Sequence, residues 1–223
     1  MVFSVAQAAA RLGVNHERVR HIIASGVLKA RKLGGQWLVE GASLERLAKR
    51  ERPRGRPYSA GRAWGLLMLA DGREPEWLSA SERSLLRRRL REYDFKEMLP
   101  RFYGRAEVLR FRAHPSDLDR IANESGVVRS GISAVEHHGL DLIPREELDL
   151  YVPAKNIAKL KRKYFLQSSE KPNLNIRSIA ELWPFNDSEK IAPLPVVGID
   201  LALGDDPRAQ RVGQQILSSN HND

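Results

Sequence analysis

The sequence predicts an α+β chain in two parts: a small helical head ending in a hairpin and a larger body in which a helical segment leads into an α/β sheet. Three observations predict it. The first 50 residues show small apolar residues at helical spacing, followed by two short β-like runs around a glycine pair. A basic, proline-containing run, "KRERPRGRPY", comes next. Beyond Pro100, strand-like and helix-like segments alternate, the pattern of a sheet covered by helices. At 223 residues, 42% hydrophobic and 29% charged, the chain has ordinary globular composition and room for two domains. The boundaries expected are a head over 1–51, a linker over 52–58 and a body over 59–223.

Charge sharpens this division. Residues 1–57 carry 12 Lys/Arg against 4 Asp/Glu, while residues 114–223 carry 13 against 16. A basic first quarter on a slightly acidic remainder is the electrostatic footprint of a nucleic-acid-binding head. The head lacks the bulky apolar helix face that a membrane-surface binder needs. There is no cysteine, which excludes disulfides, thiolate metal sites and cysteine nucleophiles together. No apolar run approaches the roughly 18 residues of a membrane span. The opening "MVFSVAQAAARLGV" lacks the basic region of a secretory signal, so a cytoplasmic protein is expected.

In the head, Ser4 and Gln7 have the spacing of a capping box, and Val5, Ala8, Ala9 and Leu12 recur at helical period. Gly13 stops that helix, Val14 packs, and Asn15 caps a second helix from His16. There Val19, Ile22 and Ile23 form an apolar stripe and leave Glu17, Arg18, Arg20 and His21 exposed. "GVLKARKL" and "QWLVE" read as strands around Gly34-Gly35, a two-glycine tip suited to the positive φ angles of a tight hairpin. Ser43 is expected to cap a last helix, "LERLAKR". Two helices joined at a glycine, then a hairpin, make a winged helix-turn-helix.

With its "LGV" turn, "SG.L" exit, glycine wing tip and "LERL" helix, this segment resembles the DNA-binding domain of excisionase and MerR-type regulators. The resemblance covers about 50 residues and implies double-stranded DNA as the partner, met by the second helix and the wing. On that reading Asn15, His16, Arg18 and Arg20 meet the major groove or its phosphates, and Arg31, Lys32 and Gln36 are wing contacts to phosphate or minor groove. Glu17 departs from an all-basic face; accepting from a cytosine amino group and pairing with Arg20 are both open to it. The plainer alternative for the whole face is a solvated charged surface used in protein contacts.

"PRGRP" has the form of an AT-hook. Glycine lets the backbone enter a narrow minor groove, and Arg52, Arg54 and Arg56 alternate with Pro53, Gly55 and Pro57 as that geometry requires. Generic phosphate contact and a passive lead-in to a helix capped by Ser59 remain the other two readings.

The body begins helical. Trp64, Leu66, Leu67 and Leu69 give one helix. "LSASERSLLRRRLREY" gives another, capped by Ser79 and Glu82, with Leu85, Leu86 and Leu90 inward. Arg87, Arg88, Arg89 and Arg91 crowd its outer face, as solvated surface or as a contact to DNA or an acidic partner. "AEVLRFRAH", "GVVRSG", "ELDLYVP" and "NLNIRSI" then read as strands. "PSDLDRIANES", "ISAVEHHG", "AKNIAKLKRKYF" and "DDPRAQRVGQQIL" read as helices.

The stretch "SGISAVEHHGLDLIPREELDLYVP" resembles the active-site region of minimal nucleotidyltransferases, in which a strand carries two carboxylates one residue apart to hold Mg²⁺. Glu147 and Asp149 have that spacing, but the first is not aspartate. Ser130-Gly131-Ile132 replaces the glycine-serine pair, and Asn175 and Arg177 stand where a third carboxylate is wanted. The resemblance therefore implies a degenerate nucleotidyltransferase-like fold, with catalysis through Glu147 and Asp149 as the alternative. By organisation, the whole chain resembles AbiE-type antitoxins, which pair a DNA-binding head with a body that neutralises a nucleotidyltransferase toxin. His137-His138, adjacent on a helix, do not converge on a metal. The expectation is a non-enzymatic, autorepressing regulator with no cofactor and no metal, acting as a homodimer on DNA. An excisionase-like architectural factor is the third reading.

Overall fold

The computed structural model describes residues 1–24, 28–49, 57–143 and 147–219. Arg52, Arg54 and Arg56 of the hook, and Ser25-Gly26 of the "SG.L" exit, lie outside the described residues. The chain divides into two compact units, Met1–Arg52 and Pro53–Asp223.

The first unit contains β1 (Val2–Ser4), α1 (Val5–Leu12), α2 (His16–Ala24), β2 (Ala30–Leu33), β3 (Gln36–Glu40) and α3 (Gly41–Lys49). The Ser4 hydroxyl accepts from the Gln7 N–H, and the Gln7 side chain answers to the Ser4 N–H, so the capping box forms. Gly13, at φ 57°, ends α1 in the left-handed conformation that glycine adopts at least cost. The strands make an antiparallel sheet in the order β1-β3-β2. Ala8, Ala9, Val19, Ile23, Leu28, Val39 and Leu44 close a small core beneath it.

Two features of this unit differ from the sequence reading. The opening "VFS" pairs with β3 as an additional strand, Phe3 opposite Val39. Ser43 is not a cap: α3 starts at Gly41 directly after β3, and the buried Ser43 hydroxyl accepts the Lys29 N–H at 3.0 Å. The helix starts early because no loop separates it from the strand.

The second unit runs α4 (Ala60–Ala70), α5 (Ala80–Glu92), α6 (Phe95–Met98), β4 (Glu107–Arg112), α7 (Leu118–Ala122), β5 (Val128–Arg129), β6 (Leu148–Pro153), α8 (Ala154–Lys163), β7 (Gln167–Ser168), β8 (Leu174–Ile179), α9 (Leu194–Ala202) and α10 (Pro207–Ser219). The mixed sheet has the order β5-β6-β8-β4-β7, with β6 and β8 parallel and the other neighbours antiparallel. Strand alternation sorts its two faces. Leu148, Leu150 and Val152, with Leu174 and Ile176, pack under α7 and α8. Tyr151 and Ile179 point the other way, into a larger core built with α4, α5, α6, α9 and α10. The chain is thus α+β, its body a sheet between two helical layers.

The expected helix "ISAVEHHG" is instead one 3-10 turn, Gly131–Ala134, followed by irregular turns. The segment is tied to β6: Ser130 N–H donates to the Asp149 carbonyl at 2.9 Å, and the Ser133 hydroxyl accepts the Asp149 N–H at 2.8 Å. Those bonds hold it beside the strand and leave no room for a regular helix. α9 and β7 were not anticipated; α9 is apolar almost all round, so it shows no amphipathic period.

Candidate nucleic-acid interface

The exposed surface of α2 is set by what the helix buries. Val19 and Ile23 face the core, at 0% and 9% exposure. At about 100° per residue, Glu17 and His21 then point directly outward. His16 and Arg20 lie on one flank of that line and Arg18 on the other. All five side chains are exposed. His21 thus shares the outermost stripe with Glu17, and the sequence reading left it out of its contact set although the same helical period gives it. Arg18 and Arg20, assigned a common face, are split between the flanks.

Asn15 has a structural task. Its Oδ1 accepts the Arg18 N–H at 2.8 Å, which satisfies one of the unpaired donors at the start of α2 and leaves the Nδ2 donors for another partner. Among the described residues no carboxylate pairs with Arg18, Arg20, Arg31 or Lys32, and Glu17 makes no ion pair with Arg20. Arg11, in contrast, is held bidentately by Glu45 at 3.0 and 2.9 Å, clamping α1 to α3. The basic groups of α2 and the hairpin keep their charge directed at solvent.

The hairpin turns through Gly34 and Gly35 at φ 54° and 83°, positive at both positions as a type I′ turn demands. Its register sets Ala30 opposite Val39, Arg31 opposite Leu38, Lys32 opposite Trp37 and Leu33 opposite Gln36. Arg31, Leu33 and Gln36 therefore share one face, and Lys32 lies on the other, the side that Ala30 and Val39 turn towards the core. Leu33 stands 62% exposed between Arg31 and Gln36.

In the body, the second candidate set is part of a buried polar network. Asp200 of α9 accepts from Ser130 Oγ at 2.5 Å, Tyr151 OH at 2.9 Å and Arg177 Nε at 2.9 Å, and from Arg105 as well. Burial would lower the Arg177 guanidinium, but Asp200 and Asp149 outweigh it and hold it above its ordinary value. Burial also drives the Tyr151 phenol well above its usual range, so Tyr151 is a neutral donor throughout the physiological window. Asp149 is drawn into the same network: its Oδ1 accepts from Asn175 Nδ2 at 2.9 Å, and its Oδ2 lies 3.7 Å from Arg177 Nη1. Glu147 sits one residue ahead of β6.

The two carboxylates that the alternative, enzymatic reading would use for Mg²⁺ thus differ in setting, and Asn175 and Arg177 supply donors where a metal site needs oxygen ligands. No cluster of three or more His, Asp or Glu suited to a metal ion occurs among the described residues. His138 Nε2 instead lies 2.9 Å from the Ala192 carbonyl. No helix among the described residues is long and apolar enough to cross a membrane.

Residues 2–52 match a family model described as a helix-turn-helix domain. No curated protein and no solved structure shows significant similarity to the chain. With the helix, turn, helix and hairpin above, the head is a helix-turn-helix DNA-binding domain of the excisionase type.

Proposed function

We propose that the chain is a sequence-specific transcriptional regulator whose head reads an operator through α2 and the hairpin, and whose body binds a protein partner. The observation that carries this is the outer surface of α2 and the wing, where Arg18, Arg20 and Arg31 project into solvent and form no salt bridge among the described residues, Glu17 included. Such charges are free to displace counterions from DNA phosphates. The two compact units support a division of labour between DNA and a partner. An autorepressing antitoxin, with a nucleotidyltransferase-type toxin as partner and cytoplasmic action, has this organisation. One head covers few base pairs, so a homodimer on a repeated or palindromic operator is part of the proposal.

The body is proposed to act without catalysis. Asp149 is already engaged by Asn175 and lies close to Arg177, which opposes its use as a metal ligand.

Binding of the full chain to the DNA upstream of its own gene, across a salt series, tests the regulator reading. Specific binding with a slope of about −0.9 per phosphate contacted is expected. A chain that binds this DNA no better than a scrambled duplex contradicts operator recognition. The double substitution Glu147→Ala with Asp149→Ala is expected to leave DNA affinity unchanged. A Mg²⁺-dependent nucleotide transfer abolished by that pair would replace the regulator reading with the enzyme one.

A further inference from the structure

We infer that α8 of the body is a second DNA-contacting surface, which holds the phosphate backbone beside the site read by the head. The inference rests on the DNA-binding reading above. In ten residues α8 carries Lys155, Lys159, Lys161, Arg162 and Lys163 and no acidic residue, although residues 114–223 as a whole are acidic, with 16 Asp/Glu against 13 Lys/Arg.

Position sorts these five charges. Leu160 and Tyr164 are buried against the sheet, and Ile157 packs beside them. At about 100° per residue, Lys155, Lys159 and Arg162 fall within a narrow stripe directly opposite that buried face. All three are exposed and none forms a salt bridge among the described residues, although Lys159 lies near enough to Glu124 to add a minor attraction to that carboxylate. The neighbouring cations are otherwise occupied: Lys161 lies over the Phe111 ring and Lys163 pairs with Glu124. Lys190 Nζ donates to the Glu124 backbone carbonyl at 3.2 Å.

A stripe of this kind has a cost for the isolated protein. Lys155 and Lys159 repel at i,i+4, and Lys155 stands in the first turn, at the positive end of the helix dipole. A polyanion removes both penalties. Along the helix axis the stripe covers roughly 10 Å, which matches about three successive phosphates of one DNA strand. Because head and body belong to one chain, contact of α8 with DNA already held by the head is an intramolecular step.

The test is fluorescence anisotropy of the full chain on a labelled mixed-sequence duplex of about 40 base pairs, between roughly 50 and 200 mM KCl. Four variants are compared: K155Q/K159Q/R162Q; the charge-preserving K155R/K159R/R162K; R18A/R20A in the head; and K96Q/R208Q/R211Q, which removes three exposed charges from the opposite side of the sheet. The α8 neutralisation is expected to lower the slope of log K against log[salt] by about 2 to 3, and the head variant by about 2. The charge-preserving and opposite-side variants keep the wild-type slope. An α8 variant that binds like wild type beside a weakened head variant overturns the inference, leaves the head's role intact and directs the stripe to an acidic protein instead. Equal losses in the α8 and opposite-side variants also overturn it, since net charge alone then explains them. Failure of the wild-type chain to bind any duplex removes the DNA reading itself.

Discussion

Asn15 Oδ1 accepts the backbone N–H of Arg18 at 2.8 Å, so the residue that opens α2 is also the one that closes its first turn. Asn15→Ala is expected to cost about 1 kcal/mol of stability, and Asn15→Ser, which keeps the cap, almost nothing. Thermal melts check both. The affinity of the serine variant for operator DNA then isolates what Nδ2 adds; a drop is expected, and an unchanged affinity confines Asn15 to capping.

Arg31 and Gln36 share a hairpin face that Lys32 does not. One face of a two-stranded ribbon meets a DNA backbone at a time. Arg31→Ala and Gln36→Ala are therefore expected to lower affinity together, with Lys32→Ala close to wild type, or the reverse. Equal losses at Arg31 and Lys32 in a titration series would contradict a wing that docks by one face.

Among the described residues, the Asp200 carboxylate is the only anion that both Arg105 and Arg177 reach. Asp200→Asn leaves two guanidinium groups buried around a neutral amide, and the expected cost is about 3 to 5 kcal/mol. Urea denaturation measures it. A loss under 1 kcal/mol would mean that water enters to replace the carboxylate.

Phe165 has φ 49° and is 84% exposed. It follows Tyr164, the C-cap of α8, and Leu166 N–H returns to the Lys161 carbonyl at 3.1 Å, the bond of a Schellman cap. A bulky residue occupies the position that glycine fills at least cost, and its ring buries little. Phe165→Gly is expected to raise stability by about 0.5 to 1 kcal/mol, seen as a higher melting temperature. A lower one would show that the ring packs in solution.

Hydrogen bonds from Lys163 and Tyr164 hold the Glu124 carboxyl below its usual range. A carboxylate with a lower pKa in the folded than in the unfolded state contributes stability above the unfolded value, near 4.3 for glutamate, and loses it as pH falls through the folded one. Glu124→Gln is therefore expected to be less stable than wild type by at most about 1 kcal/mol at neutral pH, with the gap closing in acid. Denaturation midpoints at pH 7 and pH 3 give the comparison; a gap that persists at pH 3 would assign the effect to shape rather than charge.

The sequence by itself determined the elements whose causes are local. The Ser4–Gln7 and Ser79–Glu82 boxes, the Gly13 turn, the Gly34-Gly35 hairpin and the buried stripe of Val19 and Ile23 all follow from interactions within a few residues. Excisionase-like character was legible for the same reason. Tertiary structure alone decided how distant segments use their polar groups. Ser43 left its cap for Lys29, and the "ISAVEHHG" segment gave up helix to bond β6. Asp149, alternating with Glu147 in the sequence, was drawn to Asn175, 26 positions away, because parallel pairing of β6 and β8 set the two side by side. Alternation states which face a residue takes, whereas register and the helix that covers the sheet decide what waits there.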